Sequence, residues 1–134
     1  MMRGIKPEMR IDPEAITDLR SPDWMAPDAA AEWGRVMPIL AKRRILSVAD
    51  LGSLENYCLA IGTVREMDRH LQLHGHIVNY DGALKRNPAV GIQSDAMTRA
   101  RLLAAELGLT PVSRSRPAIR EDEDDDDENP LDIS

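Results

Sequence analysis

The 134 residues suit a single domain with a modest core: 43% are apolar, none is Phe, and the aromatics are only Trp24, Trp33, Tyr57 and Tyr80. The core must therefore be built from Leu, Ile, Val, Met and Ala, a palette that favours packed helices. Of the 23 acids, nine lie in residues 121–134, which hold no base, so the rest of the chain sets 17 bases against 14 acids. A weakly basic body with an acidic end can approach a polyanion that a uniformly acidic protein would repel. No apolar run reaches the length of a membrane span, and the charged stretch Lys6, Glu8, Arg10, Asp12 is unlike a signal peptide. The single Cys58 excludes an internal disulfide. A soluble intracellular protein without a membrane partner is expected.

Residues 1–23 contain Pro7, Pro13 and Pro22 among scattered charges, with no sustained apolar period, which predicts a flexible arm and a structured region from Trp24. Pro27, Asp28 and Glu32 open a first helix, the proline suiting the first turn and the acids the positive dipole end. Trp33, Val36, Met37 and Leu40 form its apolar stripe. Pro38 should bend rather than break this helix, because the carbonyl that its ring crowds belongs to Gly34. Lys42, Arg43 and Arg44 follow at the C-terminal end.

Ser47 with Asp50 reads as a cap, and a long second helix follows with the stripe Leu54, Tyr57, Ile61, Val64, Met67, Leu71, ended by Gly75. Cys58 falls within this pattern as a small core residue. Asp81-Gly82, between His76–Tyr80 and Ala83–Lys85, predicts a hairpin whose two central turn positions take positive φ. Asn87-Pro88 starts a third helix with the stripe Ile92, Ala96, Leu103, Leu107, closed by Gly108. Thr110-Pro111 suggests a short fourth helix, stopped by Pro117. The fold expected is mainly α: three main helices, a hairpin between the second and third, and a short C-terminal helix. A core over residues 24–117 lies between the arm and a solvated acidic tail over 118–134.

Catalytic chemistry finds no support. His70 and His74 are one helical turn apart, as zinc ligands often are, with His76 just beyond. No further ligand has a recognisable spacing, and histidines near a helix C-terminus favour the dipole. There is no glycine-rich loop ending in Lys-Ser or Lys-Thr, and the carboxylates of the body are dispersed. The expectation is a non-enzyme without cofactor or metal. For nucleic acid, the candidates are Lys42, Arg43 and Arg44, Lys85 and Arg86, and Arg114, Arg116 and Arg120, all suited to sequence-independent phosphate attraction. Repetition around an oligomer would turn each small cluster into a band of charge. The acidic run Glu121–Glu128 and the apolar ending Leu131-Asp132-Ile133 suit either a solubilising tail or a short docking peptide.

Several segments, in this order, carry a resemblance. They are Pro27 to Trp33 with its Glu-Trp pair, Pro38, Leu46, Asp50, Tyr57-Cys58, Gly75, Lys85-Arg86-Asn87-Pro88-Ala89, and Ala105-Glu106-Leu107-Gly108-Leu109-Thr110-Pro111 with Ser113-Arg114. Together they resemble the small terminase subunits of tailed bacteriophages over roughly residues 24–116. The resemblance implies a non-catalytic oligomeric ring in the host cytoplasm that recognises the packaging site on viral double-stranded DNA and regulates the ATPase and nuclease of the large terminase subunit. It assigns no DNA-contact residue. Apolar residues off the main stripes, Leu51, Leu59, Leu73 and Leu102, suit burial between subunits. Two other classes compete: a small helical transcriptional regulator, disfavoured by the poor groove surface Val48-Ala49-Asp50-Leu51-Gly52, and an adaptor that recruits a basic protein through the acidic tail.

Overall fold

The computed structural model describes residues 16, 19–44 and 46–111. Three helices, α1 (Pro27–Arg43), α2 (Leu51–His74) and α3 (Pro88–Glu106), carry a two-stranded antiparallel hairpin, β1 (Ile77–Tyr80) and β2 (Ala83–Arg86), between the last two. The expected fourth helix beyond Pro111, Arg114, Arg116, Arg120, the acidic tail and residues 1–15 lie outside the described residues.

α1 starts with Pro27 in its first turn and Asp28 at the positive dipole end, as the sequence predicts. It buries Ala29, Glu32, Trp33, Val36, Met37 and Leu40, one face at spacings of three and four. The helix runs unbroken through Pro38, which lies on the exposed side. Arg44 ends it in the left-handed conformation at φ 57°, its N–H returning to Leu40 and Ala41. Ahead of α1, the indole Nε1 of Trp33 donates to the carbonyl of Leu19 at 2.8 Å, and the N–H of Ile16 bonds Leu46 at 2.7 Å.

Ser47 and Asp50 form the expected cap, the Ser47 N–H donating to Asp50 Oδ2 at 2.9 Å. The turn they cap, Val48–Asp50, is 3-10 and passes directly into α2. α2 is the central helix, with α1 packed on one side and α3 on the other. Contact pairs run in opposite order, Glu32 with Tyr57 and Asp28 with Arg69 on one side, Asn87 with Gly75 and Gln93 with Val64 on the other, so both neighbours run antiparallel to it. Because α2 buries two faces, one apolar stripe does not describe it: Leu54, Tyr57, Cys58, Ala60, Gly62 and Leu71 are buried, while Ile61, Val64 and Met67 are half-buried.

α3 keeps Ala96, Leu103 and Leu107 of the expected stripe and departs from it at Ile92. Ile92 is 48% exposed, and the residues turned to the core are Ala89, Ala96 and Ala100, continued by half-buried Leu103 and buried Leu107. Alanines here and Ala60 on α2 leave little bulk between the two helices, which brings them close. α3 ends in a two-bond cap, Gly108 N–H to Ala105 and Leu109 N–H to Ala104.

The hairpin turn matches its prediction: Asp81 has φ 57° and Gly82 φ 84°, both positive, and the Gly82 N–H donates to Asn79 Oδ1 at 2.9 Å. Ile77 pairs with Arg86 and Tyr80 with Ala83. Asn87 fixes the hairpin base: its N–H bonds His76, its Nδ2 donates to Gly75 at 2.9 Å, and its Oδ1 caps α3 by accepting from the Ala89 N–H at 2.9 Å.

Two glycines of α2 test the packing. A Cβ on Gly62 would lie 3.0 Å from the backbone nitrogen of Ala29, whereas one on Gly52 meets open space. Gly52→Ala should therefore raise stability by up to about 1 kcal/mol through helix propensity. Gly62→Ala should lower it by about 1–2 kcal/mol as α1 is pushed off α2. Chemical denaturation of both variants reads the opposite signs. Cys58, fully buried and with its thiol pushed up to about 12 by burial first and the Glu32 charge second, should react with thiol reagents only on unfolding.

Candidate nucleic-acid interface

The basic residues singled out in the sequence fall at opposite ends of the bundle. Lys42 and Arg44 are exposed at the C-terminal end of α1, beside the start of α2. Arg43 turns inward, and its Nη1 donates to the Gly108 carbonyl at 2.5 Å, tying the end of α1 to the end of α3. Lys85 and Arg86 are exposed on β2, with Lys85 Nζ 5.8 Å from the centre of the Tyr80 ring. The 24 residues of α2 separate these ends by about 36 Å, so one subunit does not bring Lys42 and Arg44 together with Lys85 and Arg86.

Between them lies a cluster that sequence reasoning passed over. Glu32 sits on the apolar stripe of α1 and is 0% exposed. Its Oε1 accepts from Arg35 Nε at 2.9 Å and Arg65 Nη2 at 3.1 Å, and its Oε2 from Arg35 Nη2 and the Tyr57 hydroxyl, both at 2.6 Å. Every acceptor position of the carboxylate is thus used. The two arginine side chains remain partly open, at 58% for Arg35 and 44% for Arg65. One helical turn earlier, Asp28 pairs with Arg69. The signal that could have revealed this cluster is an acid at a core position, between Ala29 and Val36, with an arginine three residues later.

Burial pushes the Glu32 carboxyl up, but hydrogen bonds from Arg35 and Tyr57 and the charges of Arg35 and Arg65 outweigh it, leaving the pKa below the ordinary value. Tyr57 moves the other way, to about 12, through burial and then its bond to Glu32. At neutral pH the cluster is therefore one carboxylate, two guanidiniums and a neutral phenol, with a surplus positive charge at the surface.

The remaining groups offer little chemistry. The His70 and His74 rings meet at a tilt of 45° with centroids 4.5 Å apart, and among the described residues no three His, Cys, Asp or Glu side chains are grouped to hold a metal ion. No described helix is long and apolar enough to cross a membrane. Apolar surface is conspicuous instead: Leu59 and Leu102 flank a groove between α2 and α3, and Leu73, Ile77, Tyr80 and Leu84 are exposed around the hairpin.

Glu32→Ala should cost on the order of 2–3 kcal/mol, since it leaves Tyr57 and the inner side of Arg35 without their acceptor. The pH dependence has a definite sign. A carboxyl whose folded pKa is depressed stabilises fully above its unfolded value and loses that contribution as pH falls through the folded one. Melting temperatures should accordingly fall more steeply below about pH 4 for the unmodified protein than for Glu32→Gln.

Comparison with known families gives one result: the family described as "Phage terminase, small subunit" matches residues 29–124. Curated proteins and solved structures gave no match. The matched span begins in the first turn of α1 and takes in the Glu32 cluster, all of α2, the hairpin and α3. The chain accordingly belongs to the phage terminase small-subunit family.

Proposed function

We propose that this chain is the non-catalytic DNA-recognition and regulatory subunit of a viral packaging terminase. It binds the packaging site on viral double-stranded DNA as an oligomeric ring, in the cytoplasm of the infected host, and directs or stimulates the large ATPase and nuclease subunit. The observation that carries this reading is the family match across residues 29–124, which gives the chain a part in phage DNA packaging.

The exposed surface supports the oligomer. Leu59, Ile92, Met97 and Leu102 stand on or beside the α2–α3 side, and Trp24 and Val48 are exposed elsewhere. The described residues hold no further layer to cover them, whereas contacts between different faces of successive copies would bury them and close a ring. A ring would also repeat each basic group, giving weak single contacts a collective strength.

Light scattering after gel filtration should show one discrete assembly several times the 14.9 kDa chain mass. Addition of that assembly should raise the DNA-dependent ATPase rate of the cognate large subunit. A monomer or dimer that leaves the ATPase unchanged would remove the ring and the regulatory role together.

A further inference from the structure

The Glu32 cluster holds more positive charge than its own neutralisation requires. Arg35 makes a two-pronged bond to the carboxylate, and the Tyr57 hydroxyl satisfies it further. Arg65 adds a single bond through one of its five N–H groups, so its charge is surplus and its remaining donors are available at a partly open surface. Burying a carboxylate carries a desolvation cost of several kcal/mol. Here that cost is offset by the hydrogen bonds and opposite charges of the two arginines, and holding their side chains in place lowers the entropy that each would lose on meeting an anion.

The same surface continues along α1. Ala31, Arg35, Pro38 and Lys42 follow one another at i, i+4, i+7 and i+11 and line the solvent side of the helix, which places them on one outer face. Arg44 stands at its end. From Trp33 to Arg44 the chain contains no acid. Of the carboxylates at its borders, Asp28 is paired with Arg69, Asp50 accepts from the backbone and hydroxyl of Ser47 and Asp68 from Gln72, while Glu66 is exposed beside Arg65. Pro38, the residue of this face between Arg35 and Lys42, is compact and uncharged and keeps the helix surface low between the two cations. Arg35 and Lys42 are two turns apart, about 10 Å, a distance over which one strand of B-form DNA presents about three phosphates. A rigid row of cations on a low surface suits a regular polyanion.

We propose that this outer face of α1, with Arg35, Lys42 and Arg44 and with Arg65 alongside, binds the phosphate backbone of double-stranded DNA, Glu32 acting as the positioning residue that holds Arg35 and Arg65. The inference rests on the DNA-binding role proposed above and locates it. Arg43, committed to Gly108, contributes to the fold instead, and the hairpin cations Lys85 and Arg86 lie at the far end of the bundle.

The test is fluorescence anisotropy of the full chain on a labelled DNA duplex at several salt concentrations, comparing the unmodified protein with Arg65→Gln, Lys42→Ala and the hairpin control Lys85→Ala/Arg86→Ala. The two α1-face variants should each weaken binding about threefold to tenfold and flatten the logarithmic salt dependence by about 0.9 for each phosphate left without its cation; the hairpin control should keep both. A purely structural role for Arg65 would lower the melting temperature without changing the salt slope, and that result refutes the inference. Lys42 is at the surface, so its variant carries the test even if Arg65→Gln proves unstable. Equal binding by all variants overturns the α1 site while leaving the DNA-binding function standing, whereas failure of the unmodified protein to bind DNA overturns both. Unaltered DNA binding combined with lost binding of a synthetic peptide of residues 119–130 would reassign the face to an acidic peptide.

Discussion

The junction of α1 and α2 depends on one buried carboxylate. Glu32 is surrounded by apolar residues on its own helix, and an ionised group there is tolerable only if its hydrogen-bonding capacity is filled and its charge opposed. Both conditions are met from two directions: Arg35 reaches back along α1, while Tyr57 and Arg65 arrive from α2. A wholly apolar contact would let the helices slide by small amounts at little cost. The two directional bonds that cross from Tyr57 and Arg65 do not, so the carboxylate sets the register of α1 against α2, and Gly62 lying against Ala29 then sets their separation.

The other side of α2 is built on a different principle. Its contact with α3 relies on small residues, Ala60 with Ala96 and Ala100, and on a polar tie from Gln93 to the Val64 carbonyl. Bulky side chains that could have filled such a contact, Leu59 and Leu102, stand at the rim of the groove instead. The protein thus leaves several bulky apolar side chains outside the contact between these helices.

Much of this was legible in the chain. Helix starts at Pro27 and Pro88, the Ser47–Asp50 cap and the Asp81-Gly82 turn rest on local backbone chemistry, which acts within a few residues, and the structure bears each of them out. On α3 only Ile92 left the expected stripe: it is apolar and correctly spaced, yet the α2 contact there selects small residues over large ones. The single stripe on α2 is buried or half-buried throughout but incomplete, because a helix buried on two faces adds Ala60 and Gly62 outside that period. Of the Glu32 cluster only the local half, Glu32 on the apolar stripe with Arg35 three residues later, was there to be read, because Tyr57 and Arg65 lie 25 and 33 residues away. Charge runs such as Lys42-Arg43-Arg44 are conspicuous in sequence, but only coordinates show that the middle residue turns to Gly108 while its neighbours face water.

Asn87 ties together the end of α2, the foot of the hairpin and the first turn of α3 with one side chain. Among the described residues the ribbon above it touches little else, and its two strands are held chiefly by their own pairing. A lengthening or shortening of the ribbon by one residue on each strand would leave the foot and the bundle unchanged while moving the tip by about 3.3 Å. The hairpin is in that sense an adjustable spacer. Related chains could vary the reach of this projection, and with it whatever the tip meets, without disturbing how the three helices fold.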